Sequence, residues 1–317
     1  MNVVDSAYKY KVPETMPSDI VLKDYYSDSK HSIIDPTRYA AYNAASRIFR
    51  NTMTVVETAA DKFQSTGSRG AAECVLRILA LNAQAGAMTG KMSSNQSYYV
   101  QNWTLGGLAI AWLKVRSAMP GTPEDRQNIA AWLKQVAVST MGYYNRGRAK
   151  GASDARNNHY GWAGIAVMAA GVASNDKSLF DWGVGTYDDG VNNIQPDGTL
   201  PLEMGRGQKA LHYHLFALAP LIYMAEFGAA NGLDLYSRHD GALARLVSRA
   251  MSGLADNQFF ATKAGIAQDT PAQGKIKSED VICMVPYLRR FPNSEISRML
   301  QSVEIKPYSY LGGLPPQ

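Results

Sequence analysis

Apolar residues recur three and four positions apart along nearly the whole chain, the period of helices with one buried face. The segments "RYAAYNAASRIFRNTMTVVETAADKF", "AAECVLRILALNAQAGAM", "WTLGGLAIAWLKVRSAM", "DRQNIAAWLKQVAVSTMGYYN", "YGWAGIAVMAAGVAS" and "SLFDWGVGTYDDGVNNI" carry it. It continues in "QKALHYHLFALAPLIYMAEFGAANG", "DGALARLVSRAMSGLA" and "SEDVICMVPYLRRF". The breaks are short and hold Gly, Pro, Asn or Asp, as in "MPGTPED" and "QPDGTLP". Strand-like alternation is scarce. About ten helices with short connections predict antiparallel hairpins, and small residues on one side with aromatics on the other fit a ring of hairpins around a cavity. The expected fold is therefore all-α, an incomplete α/α toroid with a central cleft. A plain bundle or a solenoid is the alternative, and the absence of a fixed repeat weighs against the solenoid.

No Pro- or Ser-rich linker divides the 317 residues, so a single domain over 1–317 is expected. One connection stands apart. Residues 61–73, "DKFQSTGSRGAAE", bring Lys62 and Arg69 together with glycine and serine. They read as a mobile basic lid over an anionic ligand, or as an ordinary solvated turn.

Apolar residues are 46% of the chain, ample for a core, and the net charge of +5 favours an acidic partner without naming it. No apolar run is long enough to span a membrane, and the start lacks the apolar core of a signal peptide. That leaves a cytosolic protein or one whose signal has been removed. Cys74 and Cys283 read as two buried free thiols in preference to one disulfide, and no Cys/His spacing points to zinc.

Two stretches carry candidate chemistry. In "NNHYGWAG", residues 157–164, a helix cap needs one asparagine, so the histidine asks for another reason. In "DGTLPLEMGRGQKALHYHLFALAPL", Arg206 and Tyr213 are seven apart, nearly two turns, and so share a helical face. Asn158, protonated His159 and Arg206 can together bind a carboxylate, and Tyr213 can carry a proton if cations lower its pKa from about 10. That set suits β-elimination of a uronate, whose H5 becomes removable once the carboxylate charge is neutralised. A metal on "HYH" is disfavoured because residues two apart on a helix diverge. Asp188, Asp189, Asp197 and Glu203 keep a glycoside hydrolase open as the rival, although solvated or capping roles suit them better. Tyr39, Tyr42, Trp103, Tyr143 and Tyr144 can stack on sugars or belong to the core.

The stretches "RNNHYGWAG" and "DGTLPLEMGRGQKALHYHLFAL" resemble the mannuronate-specific alginate lyases of polysaccharide lyase family five. So do "WTLGGLAIAWLKV", "GIAQD…DVICMVPYLRRFP" and the terminal "YLGG", in order over most of the chain. The interval of 47 residues from His159 to Arg206 fits as well. The resemblance implies that Asn158, His159 and Arg206 address the substrate carboxylate and that Tyr213 transfers the proton. It implies a lid near 61–73 and a secreted, usually periplasmic protein. His212, Lys62, Arg69, Trp103 and Tyr160 are the expected further substrate contacts. The expected partner is an anionic polysaccharide, with no nucleic acid, membrane, metal or cofactor, and the chain is expected to be a monomer. Two departures stand in the motifs. Gly161 replaces an aromatic, for which Tyr160 can compensate, and His212 replaces a small residue and adds a titratable group beside Tyr213. They leave room for polyglucuronate or hyaluronan beside polymannuronate.

Overall fold

The computed structural model describes residues 8–271 and 274–316. Its α-helices are α1 (Pro36–Thr66), α2 (Arg69–Gln84), α3 (Asn95–Val115), α4 (Pro123–Ala149), α5 (Asn158–Ser174) and α6 (Lys177–Asn192). They are followed by α7 (Pro201–Met204), α8 (Ala210–Ala230), α9 (Arg238–Ala255), α10 (Gln258–Ala264), α11 (Ser278–Val281), α12 (Met284–Arg290) and α13 (Ser294–Gln301). Among the described residues only isolated β-bridges occur.

The helices form two layers. Helices α1, α3, α5 and α8 pack on one another in that order as the inner layer, and α2, α4, α6 and α9 back them as the outer one. The sequence dictates this division. Helices α3, α5 and α8 are buried around almost their whole circumference, which only an inner position allows. Helix α9 is buried along one stripe, as an outer helix should be. Small residues set the spacing where layers meet: a Cβ on Gly164 would stand 2.5 Å from Thr186 Cγ2 of α6. This is the α/α toroid that the pattern predicts.

The C-terminal segment closes onto the inner layer. Lys114 of α3, its side chain 3% exposed, donates to Asp61 and to the carbonyls of Gly312 and Leu314, each at 2.6 Å. Asp61 also accepts from the Leu314 N–H at 2.9 Å, and Glu57 accepts from the Ser309 hydroxyl at 2.9 Å. The chain passes so close to α3 that a Cβ on Gly107 would lie 2.1 Å from the Ser309 carbonyl. Tyr308 and Tyr310 are thereby delivered to the central cleft.

Residues 61–73 are not a loop. Helix α1 continues to Thr66, Gly67 ends it with a left-handed φ of 72°, and Ser68 caps α2 at once. Glycine and serine there are a helix stop and a helix start, and the lid reading is corrected to a tight hairpin. Cys74 and Cys283 are both buried free thiols.

Burial pushes the Glu57 carboxyl up to about 7, with Ser309 opposing. The folded chain therefore keeps a proton that an unfolded chain gives up at lower pH, so this group loses stability as pH rises through 7. Melting temperatures of the parent and Glu57→Gln chains at pH 5 and pH 8 test this. The parent should lose more than the variant between the two, and equal losses would remove Glu57 from the account.

Candidate active site

The N-terminal parts of all four inner helices open on one cleft of about 800 Å³. Helix α1 supplies Tyr39, Tyr42, Asn43 and Arg50, α3 supplies Gln96, Tyr99 and Trp103, α5 supplies His159, and α8 supplies His212, Tyr213 and Phe216. The positive ends of four helix dipoles therefore face the same space, which favours an anion there.

His159 is placed by its cap. The Asn157 side chain accepts from the His159 N–H at 3.0 Å, fixing the first turn of α5. The imidazole stacks on Tyr99, with ring centroids 3.7 Å apart, and its Nδ1 is buried with no hydrogen-bond partner among the described residues. Tyr99 in turn donates to Asp154 at 2.9 Å, and Tyr143 donates to the same carboxylate.

Arg206 does not share a helix with Tyr213. It precedes a short 3-10 turn, Gly207–Lys209, and α8 begins at Ala210. The turn still brings the two side chains together: the guanidinium lies over the Tyr213 ring, 3.5 Å from its centroid. Its Nε donates to the Lys30 carbonyl and one Nη to the His31 carbonyl, both at 2.8 Å. Arginine carries five N–H groups, so others remain for a ligand. The Tyr213 hydroxyl meets the Tyr26 hydroxyl at 2.6 Å. Residues 24–35 thus strap across the cleft beside Tyr213 and Arg206.

The charge states reverse the sequence expectation. Burial, then the nearby Arg206 and His31, push His159 down to about 3, so it is a neutral imidazole at neutral pH. Burial pushes Tyr213 up to about 12 although Arg206 pulls the other way. His212 is pushed down to about 4, mainly by burial, and is neutral too. Desolvation outweighs one neighbouring cation here. Among the described residues, Arg206 is the full positive charge set against the Tyr213 ring.

Asn158 stands behind the cleft wall. It lines a smaller adjoining pocket of about 170 Å³ together with Glu203. Its backbone N–H and its side-chain amide both donate to the Glu203 carboxylate, at 2.7 and 2.8 Å. Glu203 is 1% exposed, which excludes the solvated role expected for it. The other candidate acids are also committed outside the cleft: Asp188 pairs with Arg238, Asp189 with Arg148, and Asp197 with Lys263. Nothing in their placement forms a hydrolase pair across the cleft.

Of the further expected contacts, Trp103 and His212 line the cleft, Trp103 stacked 4.9 Å from Tyr310. Tyr160, Lys62 and Arg69 do not. One step along a helix turns about 100°, so Tyr160 points away from His159 and packs against Tyr144 and Trp182. Lys62 sits twelve residues beyond Arg50 on α1, about 18 Å along the axis, and Arg69 lies across the same hairpin; both are exposed. Tyr39 and Tyr42 line the cleft and meet Tyr25, at 5.2 and 4.8 Å. Tyr144 is core, and Tyr143 stacks on Tyr98. His214 points away from its neighbours, accepting from the Leu200 N–H at 2.8 Å. Sequence reasoning missed Tyr26, His31, Tyr99, Asp154 and Tyr310. The aromatic pair in the polar stretch "DYYSDSKH" was the available signal for the first two.

Among the described residues no group of three or more His, Cys, Asp or Glu could hold a metal ion, and no helix is long and apolar enough to cross a membrane. Residues 19–260 match the family model described as alginate lyase. A polysaccharide lyase of Stenotrophomonas maltophilia is 37% identical over 79% of this chain and 74% of its own. An alginate lyase of Azotobacter vinelandii is 32% identical over 80% and 68% respectively. Alginate lyase A1-III from Sphingomonas species A1 superposes with a TM-score of 0.82 at 24% identity, covering 96% of this chain and 84% of that one. A variant of A1-III complexed with a tetrasaccharide reaches 0.85 at 23% identity, covering 98% and 86%. With its helical toroid, its cleft and these relatives, the chain belongs to the alginate lyase family and is a polysaccharide lyase.

Proposed function

We propose that this lyase cleaves β-1,4-linked polyuronates, polymannuronate above all, by syn β-elimination in the large cleft. The observation that carries the reading is the Arg206 guanidinium 3.5 Å from the centre of the Tyr213 ring, in a cleft that His159 also lines. Arg206 pairs with the carboxylate of the bound uronate, and neutral His159 donates one N–H. Asn158, one residue away, adds its remaining amide hydrogen as the sugar settles. Negative charge spreading from C5 into the carboxylate is then stabilised where it develops. The Tyr213 phenolate takes H5, the C5–H electrons become the C4=C5 double bond, and the C4–O4 bond breaks. The same phenol returns its proton to O4 and is a phenolate again. Trp103 and His212 flank the sugars. The chain acts as a monomer, outside the cytoplasm, where such a polymer is found.

A single proton carrier suits mannuronate and glucuronate, in which H5 and O4 leave from one side. Guluronate, the C5 epimer, presents H5 on the opposite face. The relatives named alginate lyases support an alginate substrate. His212 at the cleft leaves room for polyglucuronate or hyaluronan, whereas Gly161 faces Pro220 in the smaller pocket and does not shape the cleft. Initial rates on pure blocks, followed by the ultraviolet absorbance of the unsaturated product, should be highest on polymannuronate and low on polyguluronate. A preference for polyguluronate would overturn the one-tyrosine mechanism.

Tyr213→Phe deletes the proton carrier and little contact area. Turnover should fall at least a hundredfold while polymer binding holds, and more than a few per cent residual turnover would name another base.

The charge states predict the pH profile. With Tyr213 near 12 in the free enzyme, the phenolate fraction rises about tenfold per pH unit below that value. The ratio kcat/KM should climb between pH 6 and pH 9 on polymannuronate. His212→Ala should leave the slope unchanged, because His212 is neutral throughout that range. A flat profile in the parent enzyme would transfer H5 abstraction to neutral His159.

A further inference from the structure

We propose that Glu203 is a positioning residue of this lyase, its carboxylate fixing which edge of the Asn158 amide is offered to the substrate. The inference rests on the reading above, in which Asn158 reaches the bound uronate. One carboxylate oxygen accepts the Asn158 backbone N–H at 2.7 Å, and the other accepts the side-chain amide at 2.8 Å. An ionised carboxylate can only accept, so it holds the NH₂ group on its own side and prevents the amide from turning over. One amide hydrogen stays free. The carbonyl edge, Asn158 Oδ1, is left buried without a hydrogen-bond partner among the described residues.

A capping role alone does not account for this group. Two side chains serve the first turn of α5, Asn157 at the His159 N–H and Glu203 at the Asn158 N–H. A neutral acceptor would cap as well, without the large cost of burying a charge. Burial does raise the Glu203 pKa, against the Asn158 bonds and the charge of Arg206, three residues on. A carboxylate kept in such a place, beside a cleft that must bind carboxylates, is explained if its charge sets the polarity of Asn158. Removing that charge would let the amide rotate and direct its oxygen at an anion.

The test is a set of substitutions assayed for product absorbance on polymannuronate, with melting temperatures measured alongside. Glu203→Gln keeps an acceptor for the backbone N–H but sets NH₂ against NH₂, so the Asn158 amide must turn. It should lower kcat about a hundredfold, with KM within about twofold of the parent. Asn158→Ala should cost about as much, and Glu203→Gln should cost little more in the Asn158→Ala background, as coupled residues do. The pair Asn158→Asp with Glu203→Gln keeps the bond donated by the backbone N–H of residue 158 and reverses only the side-chain bond, the introduced amide now donating to the introduced carboxylate. It should recover the melting temperature and leave turnover low, because an aspartate cannot donate. Recovery of turnover in that pair would overturn the proposal, as would a Glu203→Gln enzyme within about threefold of the parent or fully multiplying effects of the two single changes. A parent chain without lyase activity would instead refute the underlying function, a result separate from all of these.

Discussion

Three of the four inner helices have no polar face to give to water, and much of the molecule's arrangement follows from that. Helices α3, α5 and α8 are buried nearly all round, so a second layer must cover them and their partners must come close. Glycines make the close approach possible: Gly164 against α6, Gly107 against the C-terminal segment. The polar groups of the cleft collect at the N-terminal mouth of the inner layer, while those inside its body, such as Gln101, Asn102 and His214, are tied up in hydrogen bonds. Asn158 and His159 stand at the first turn of α5, Tyr213 near the start of α8, and Tyr39 near the start of α1. Four helix N-termini meeting at one cleft give it a positive bias that the side chains alone do not. Among the lining residues Arg50 and Arg206 stand with Asp24, Asp154, Glu279 and Asp280. The net charge of +5 therefore says little about the cleft; helix direction and the single guanidinium at Tyr213 say more.

The same burial sets the protonation states. A site dry enough to make one arginine effective also opposes every other charge. His159 and His212 lose their protons, Tyr213 keeps its own, and Asp280 is pushed up to about 6. A cluster that looks strongly cationic in sequence is in fact one cation among neutral donors. For the proposed elimination a raised pKa cuts both ways: the Tyr213 phenolate is a stronger base once formed, but it is scarcer at neutral pH and the phenol is a weaker acid toward O4.

What was legible in the sequence divides along physical lines. The fold could be read because helices apolar all round admit few arrangements, and short turns with Gly and Pro mark their ends. The pairing of Arg206 with Tyr213 could be read from spacing, yet for an incomplete reason: a 3-10 turn, not one continuous helix, joins them. The error over residues 61–73 came from taking Gly67 and Ser68 as signs of mobility when they are caps. Tyr160 was misplaced because adjacency to His159 in the chain is a turn of about 100° in space. The strap at 24–35, Tyr99 beneath His159 and Tyr310 against Trp103 reach the cleft from distant parts of the chain. No local pattern encodes such contacts; only the assembled layers do.

Glu203 shows how the two demands meet. Carboxylates are not barred from the cleft, which Asp24, Asp154, Glu279 and Asp280 line, but three of the four acids weighed from the sequence are held elsewhere by Arg238, Arg148 and Lys263. Glu203 is the exception, 1% exposed, its two oxygens both committed to Asn158. Its charge is set against the N-terminus of α5 and near Arg206, the two positive features of that wall, so it is compensated without entering the cleft. The Asn158 side-chain carbonyl beside it has no partner among the described residues, and a buried acceptor left so costs about 1–3 kcal/mol. A protein tolerates such a cost where it fixes a geometry that chemistry needs, and under the proposal above that geometry is the Asn158 amide beside His159.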